Sequence, residues 1–205
     1  MEDMLILVDE NDQIVGTDEK YSCHRRTTEN IYGKLHRAFS LFVFSHDRSK
    51  LLLQKRSIQK RTFPQKWTNS VCSHPLADTE ESEESTGVKK AAIRKCAQEL
   101  GLSNAFAEED IEYVGRIIYK AVSCDKYAEW ELDYLLFVTV DENSTAFHVN
   151  DQEVESVKWI TTEELACVSN KSPWFDKLFR SGLLINLWTV YREGKATYDL
   201  SIKTI

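Results

Sequence analysis

Trp67-Thr-Asn-Ser-Val-Cys-Ser-His-Pro75 is the stretch on which the reading of this chain turns. It puts a thiol at Cys72 and an imidazole at His74 two residues apart, between a tryptophan and a proline. On an extended backbone such a pair leaves one face of the strand. A thiol moves protons usefully only where its pKa is managed by a neighbouring cation or metal. A buried, inert Cys beside a surface His accounts for the same residues, so the choice depends on what else the chain brings to this point.

Just upstream lie Lys55, Arg56, Lys60 and Arg61, followed by Phe63-Pro64. This basic cluster reads either as a solvated loop or as an anion site. Further back, residues 38–44 form a continuous apolar run, and residues 51–54 follow it after the turn Ser45-His-Asp-Arg-Ser49. These runs read as a hairpin, with His46 solvated in its loop. Residues 4–8 and 13–17 read as two strands around Asp9-Glu-Asn-Asp12. Lys20-Tyr-Ser-Cys-His24 and a polar loop lead to His36, so His24 and His36 can meet only by folding.

Downstream, residues 78–84 are acidic and read as a mobile or solvated lead-in to a helix over 88–100. Val88, Ala92, Cys96 and Leu100 share one face of that helix, and Gly101 ends it. Glu99 falls in the last turn, where a carboxylate opposes the helix dipole; a metal or plain exposure would relieve it. Residues 111–122, which include Tyr119, and residues 129–140 read as strands. On the second, Glu129, Glu131 and Asp133 share a face that continues as Leu135 and Phe137. A solvent-facing strand does not normally switch from glutamates to Leu and Phe, so these carboxylates are expected to point inward, where they need protons, cations or a metal. A last strand over 155–160 precedes the capping box Thr161-Thr-Glu-Glu164. Ser172-Pro173 then opens an amphipathic helix over about 173–193, with Trp174 either in the core or closing a pocket.

Composition narrows the class. At 205 residues, without an internal repeat or linker, the chain reads as one domain spanning 1–205. Residues 4–36 and the terminal helix are extensions of it. A net charge of −7 disfavours nucleic acid as a partner. Five scattered cysteines without a Cys-x-x-Cys pair fit a reduced compartment. No apolar run reaches membrane-span length, and the terminal Lys203-Thr-Ile205 is not an evident peroxisomal address. The expectation is a cytoplasmic monomer acting on a small molecule.

His24, His36, His74, Glu129 and Glu131 together make a donor set for a borderline divalent ion such as Zn, Mn or Mg. The Trp67–Pro75 run, His36-Arg-Ala-Phe-Ser40, Gln98-Glu-Leu-Gly101, Glu129-Trp-Glu131 and Ser172-Pro-Trp174 occur in that family's order. In them the chain resembles type I isopentenyl-diphosphate delta-isomerase, of the Nudix superfamily, in its larger, animal-type form. The resemblance implies an α/β (α+β) Nudix-type mixed-sheet sandwich with flanking helices. The implied activity is the interconversion of isopentenyl and dimethylallyl diphosphate in isoprenoid and sterol biosynthesis. It also implies Cys72 and Glu131 as catalytic pair, with Tyr119 orienting the acid. His24, His36, His74, Glu129 and Glu131 would hold a protein-bound metal, and Glu99 the Mg ion that accompanies the diphosphate. Lys20, Arg56, Lys60 and Lys95 would take the diphosphate, and Trp174 would cover the hydrocarbon end.

One departure bears on chemistry. The Nudix helix pattern stands here as Arg94-Lys-Cys-Ala-Gln-Glu-Leu-Gly101, with Lys95 and Gln98 where glutamates would bind a hydrolase's metals. That weakens hydrolysis of a nucleoside diphosphate, which stays the alternative, beside a metal-stabilised binding protein without catalysis.

Overall fold

The computed structural model describes residues 3–143, 145–194 and 197–205; Met1 and Glu2, which begin the acidic N-terminal run, lie outside the described residues. In chain order the strands and helices are β1 (Met4–Val8), β2 (Ile14–Glu19), α1 (Lys20–His24), β3 (His36–Ser45), β4 (Leu51–Arg56), β5 (Trp67–Thr68), β6 (Val71–Ser73) and α2 (Ser85–Leu100). They continue as β7 (Glu112–Val122), β8 (Ala128–Val140), β9 (Val154–Ile160), α3 (Thr162–Cys167), α4 (Pro173–Arg180), α5 (Leu183–Arg192) and β10 (Ile202–Thr204).

The apolar run read at 38–44 becomes the middle of β3, every residue of which is buried. A strand covered on both faces needs such an unbroken run, since no side of it meets water. Along one edge β3 pairs in parallel with β8, from His36 opposite Glu131 to Ser45 opposite Val140. Its other edge is shared in turn by β1 at His36, β6 at Phe39–Leu41 and β4 at Phe44. The main path of the sheet runs β10-β7-β8-β3-β1-β2, with β5 and β9 joined through β4.

Two apolar layers follow from the strand alternation. Phe39, Leu41 and Val43 join Leu132, Leu136 and Val138 beneath Val88, Ala92, Cys96 and Leu100 of α2. Phe42, Phe44, Leu135 and Phe137 face the other way, against Phe175, Leu178 and Trp188 of α4 and α5. The result is a mixed sheet between helical layers. Helix α2 stops at Gly101, whose φ of +71° suits glycine, and a Cβ there would lie 2.7 Å from His148 Cβ.

Several elements differ from the sequence reading. The second strand runs Ile14–Glu19, later than 13–17, and residues 20–24, to which the sequence reading gave no element, form the short helix α1. The single terminal helix over 173–193 is two, broken at Gly182, which sits at φ +76°. A helical residue cannot hold that φ, so the apolar stripe continues across a turn. Ser172 does precede the first of these helices, but its hydroxyl donates to Thr68 Oγ1 (3.0 Å) and does not cap it. The acidic lead-in at 78–84 is not simply solvated, because Glu81 is buried and receives Arg94 through both oxygens (2.6 and 2.7 Å). Strand β10, parallel to β7, was not foreseen. Among the described residues no helix is long and apolar enough to cross a membrane.

Candidate active site

One row of the sheet carries the centre of the site. In register, His36 of β3 stands beside Glu131 of β8, and Glu131 beside Tyr119 of β7. His36, Ser40 and Phe42 share a face, as do Glu131, Asp133 and Leu135. The switch along β8 from carboxylates to Leu and Phe is thus the boundary between the site and the apolar layer on one continuous surface. His24 arrives from α1, and the turn that returns the chain to His36 depends on Gly33. That residue has φ +79°, and a Cβ on it would meet Cys23 O at 2.1 Å. His74 follows β6, and its carbonyl accepts from Arg94 Nη2 of α2 at 3.2 Å.

Glu131 Oε1 lies 3.7 Å from His24 Nε2, 3.4 Å from His36 Nε2 and 3.0 Å from His74 Nε2. The four residues are buried, and one ligand atom from each falls within 4.8 Å of all the others. Nδ1 of His24 is 2.8 Å from Lys20 O, and Nδ1 of His36 is 2.7 Å from Lys34 O. A backbone carbonyl only accepts, so these Nδ1 atoms carry the hydrogens and Nε2 presents a lone pair, the arrangement that fixes a metal-binding tautomer. His74 is turned differently: its Nε2 hydrogen-bonds Glu131 Oε1 at 3.0 Å, and its Nδ1, like His36 Nε2, has no hydrogen-bond partner. Imidazole nitrogens left without a partner beside a buried carboxylate, out of water, call for a cation. A divalent metal fits this donor set.

The charges agree. Burial drives His36 and His74 below the ordinary imidazole value, which keeps them neutral. Burial also pushes Glu131 up, but its contacts with His24, His36 and His74 outweigh that and hold it well below the usual carboxylate range. Glu129 stands apart from the four-residue group. Its Oε2 accepts from Tyr119 Oη at 3.0 Å, and burial followed by the charge of Glu131 raises its pKa. The Tyr119 hydroxyl also meets Glu131 Oε2. The two carboxylates thus compete for one Tyr119 hydrogen.

Cys72 is opposite Ser40 in register. Its thiol donates to Asn69 Oδ1 at 2.8 Å and lies 3.7 Å from both Ser40 Oγ and Thr68 Oγ1. Burial pushes the thiol pKa up to about 12, so the resting group is the thiol. Asn69 Nδ2 is held by Leu41 O (3.1 Å) and Val71 O (2.9 Å), and its oxygen also receives Trp174 Nε1 at 3.2 Å. Trp174 is buried, stacks on Tyr119 (5.7 Å between ring centroids) and meets Phe63 edge-on at 5.4 Å.

A cavity of about 420 Å³ connects these groups, lined among others by Lys20, His24, Arg56, Lys60, Cys72, His74, Tyr119, Glu129, Glu131 and Trp174. That is room for a small organic ligand. Three sequence candidates sit differently from expectation. Glu99 and Lys95 are absent from the lining: Glu99 is neither exposed nor in the histidine group, and it takes Gln54 Nε2 at 3.3 Å and Lys95 Nζ at 3.6 Å. Arg56 lines the cavity but spends Nε and Nη2 on the Thr62 and Phe63 carbonyls (2.9–3.2 Å), bracing the loop. Sequence reasoning missed Asn69, Tyr21, Tyr127, Gln152 and Glu153. Asn69 alone had a signal, a carboxamide three residues before the thiol.

Comparison with known proteins agrees with this geometry. Residues 34–180 match the NUDIX domain. The whole chain aligns at 41% identity with Isopentenyl-diphosphate Delta-isomerase I, chloroplastic, of Arabidopsis thaliana, covering 73% of that protein. It aligns at 40% with Isopentenyl-diphosphate Delta-isomerase I of Camptotheca acuminata, covering 90% of it. Among solved structures it is similar to DR0079 of Deinococcus radiodurans (TM-score 0.59, 18% identity, 86% of this chain and 98% of that one). It is also similar to a MutT protein of Methanosarcina mazei (TM-score 0.54, 13% identity, 78% and 96%). At such identities the structural likeness shows the fold alone.

Proposed function

The chain belongs to the isopentenyl-diphosphate Delta-isomerase family, built on the NUDIX domain, and from that premise we propose that it interconverts isopentenyl and dimethylallyl diphosphate. The observation that carries the reading is the meeting, in one cavity, of a half-buried Cys72 thiol, the Tyr119–Glu131 pair and the ammonium groups of Lys20 and Lys60.

The reaction adds a proton to one end of an allylic system and removes one from the other, through a tertiary cation. An alkene is a very weak base, so it needs a positioned donor and acceptor. Cys72 and Glu131 are that pair. At rest the proton sits on the thiol and the charge on Glu131; the interconversion runs both ways, so each group gives in one direction and takes in the other. Tyr119 holds Glu131 Oε2 and orients it. Trp174 presents an aromatic wall to the developing cation, worth ~2 kcal/mol or more when desolvated, and keeps water from quenching it.

His24, His36, His74 and Glu131 would hold the protein-bound divalent metal, with Glu129 next to it. The ion, when bound, supplies a fixed positive charge that keeps Glu131 in place. Mg would accompany the diphosphate, with Glu99 its assigned ligand and Lys20, Arg56, Lys60 and Lys95 the assigned phosphate groups. The binding energy of the diphosphate is then made remote from the reacting carbons. We place the enzyme in the cytoplasm as a monomer, supported by five free cysteines and an acidic surface charge unsuited to nucleic acid.

Incubation with isopentenyl diphosphate and Mg in deuterated water tests this directly by NMR. Dimethylallyl diphosphate carrying deuterium is expected. Released phosphate, or no reaction beside metal-dependent ligand binding, would replace the isomerase by a hydrolase or a binding protein.

A further inference from the structure

Glu153 lines the cavity, yet nothing in the chemistry above uses it. It ends the turn before β9, and its backbone is fixed at both groups: its N–H donates to Asn150 O at 2.9 Å and its carbonyl accepts from Ser57 N at 3.0 Å. Ser57 Oγ adds a bond to Asp151 O at 2.6 Å. The loop that carries Lys60 is thereby zipped to the turn that carries Glu153.

The carboxylate faces two ammonium groups at once. Oε2 bonds Lys60 Nζ, and Oε1 lies 4.0 Å from Lys95 Nζ. Lys60 and Glu153 line the cavity and Lys95 does not, so Glu153 meets Lys95 from the cavity side. Burial pushes the Lys20 ammonium down, and the positive charges of Lys60 and Lys95 push it the same way, against Asp3 and Glu153. Burial opposes the Glu153 carboxylate, but Lys60, Lys95 and Lys20 together outweigh it. Two ammonium groups in the pocket wall and a third behind it repel one another unless an anion sits among them. In the free protein Glu153 is the anion that reaches all three, while Glu99 takes Lys95 from the other side at 3.6 Å and Asp3 acts on Lys20.

We propose that Glu153 is the resident anion of the diphosphate site: it occupies Lys60 and Lys95 in the free protein, yields them when the ligand enters, and so sets how tightly substrate and product are held. This rests on the reading that the cavity takes a diphosphate. The need for such a device follows from the reaction. Isomerisation leaves the diphosphate untouched, so the same lysines grip product as firmly as substrate, and chemistry does nothing to release it. A competing carboxylate built into the wall loosens both. Glu153 acts through the lysines and is a positioning residue.

Calorimetric titration of the full chain with inorganic pyrophosphate, without Mg, reads the sign of the effect. Glu153→Gln is expected to tighten binding by about tenfold, the loss of one competing charge–charge contact. Glu153→Asp, which keeps the charge but withdraws it by one methylene, is expected to tighten binding by a smaller factor. It serves as the second variant if Glu153→Gln fails to fold. Glu155→Gln, which removes an exposed partner of Lys55, should leave binding unchanged. In turnover assays Glu153→Gln should lower KM while kcat does not rise. A merely structural role would weaken pyrophosphate binding and raise KM. Wild-type protein that binds pyrophosphate while Glu153→Gln binds it no more tightly overturns this inference alone; wild-type protein that binds none overturns the diphosphate reading of the cavity with it.

Discussion

Neighbouring residues on the same two strands build two buried polar clusters that face opposite ways. His36 and Asp133 lie on the face of the sheet that carries Glu131, whereas Arg37 and Tyr134, one residue on, lie on the other. There Asp12 Oδ1 accepts from Arg37 Nε (2.9 Å), and Oδ2 accepts from Arg116 Nη1 (3.0 Å) and the Tyr134 hydroxyl. Arg37 also donates to Asp12 O at 3.1 Å. Both clusters are buried and charged, but the Asp12 cluster matches an acceptor with donors from its own chain. Around Glu131, His36 Nε2 and His74 Nδ1 are left without a hydrogen-bond partner. Burial of charge therefore does not mark the functional site; the imbalance of donors and acceptors does, because only that cluster is completed by something the chain does not supply.

The comparison breaks first at the catalytic pair. Cys72→Ala should cost at least about three orders of magnitude in turnover, near the upper range for loss of a proton-transfer group, with metal content and melting temperature near wild type. Glu131→Gln should lose as much, and deuterium exchange into substrate should stop with it, while substrate still binds. Glu129→Gln should lose less, and added metal should restore part of its activity. If metal rescued Glu131→Gln equally well, the proton role would pass to Tyr119.

Asp12→Ala should reverse the pattern. It strands the buried Arg37 without its carboxylate, a loss of about 3–5 kcal/mol on chemical denaturation, and kcat per folded molecule and bound metal should hold. A variant equally stable but metal-free would mean that the two clusters are coupled through the strands.

A third, smaller effect separates the donors from the turn that gathers them. Gly33→Ala puts a Cβ against Cys23 O and forces a left-handed φ, a strain of about 1–3 kcal/mol. Since the turn positions His24 and His36, metal affinity measured against a competing chelator should weaken, with Cys72 alkylation at saturating metal unchanged. Undiminished metal affinity would show that His24 is not held through this turn.

The contrast also explains what the sequence could and could not disclose. Strands β3 and β8 were legible because burial on two faces demands an unbroken apolar run, and the inward turn of Glu129, Glu131 and Asp133 followed from the Leu135 and Phe137 that continue their face. Helix α2 was legible from its stripe and Gly101. Asp12 was not, because a turn aspartate reads as a loop residue until Arg37 and Arg116 are seen to converge on it. The convergence of His24 on His36 is likewise a property of the short helix α1 and the Gly33 turn, which no periodicity marks. Glu153 was invisible for the same reason: its lysines come from segments 20, 60 and 95. The break at Gly182 was hidden because the apolar spacing continues across it.

Acidification gives the smallest effect and the one that sharpens the comparison most. His36 and His74 have folded pKa values driven below the ordinary 6.5 by burial, so below about pH 6.5 the unfolded chain binds protons that the folded chain refuses. Their contribution is present above that pH and is lost as pH falls. His24 runs the other way: burial pushes it down, but Glu131 and Glu129 outweigh burial and raise it. Its contribution is complete below 6.5 and fades only as pH rises through the folded value. Glu131, held well below 4.5, does not enter until more acid pH. Between pH 6.5 and 5.5 the two depressed histidines work against Glu129 and Asp133, whose carboxyls burial and the charge of Glu131 push up, so the histidine part is read as the difference between wild type and a histidine variant. In chelator-stripped protein each depressed histidine should take away up to about 1.4 kcal/mol per pH unit across that interval relative to its Asn variant. Melting curves at pH 7.5, 6.5 and 5.5 measure it, and His74→Asn should flatten the slope while Asp12→Asn, on the other face, lowers the whole curve. A wild-type curve that fell no more steeply from pH 6.5 to 5.5 than that of His74→Asn would mean that His74 is charged when buried, and that the cavity balances Glu131 with protons and needs no metal.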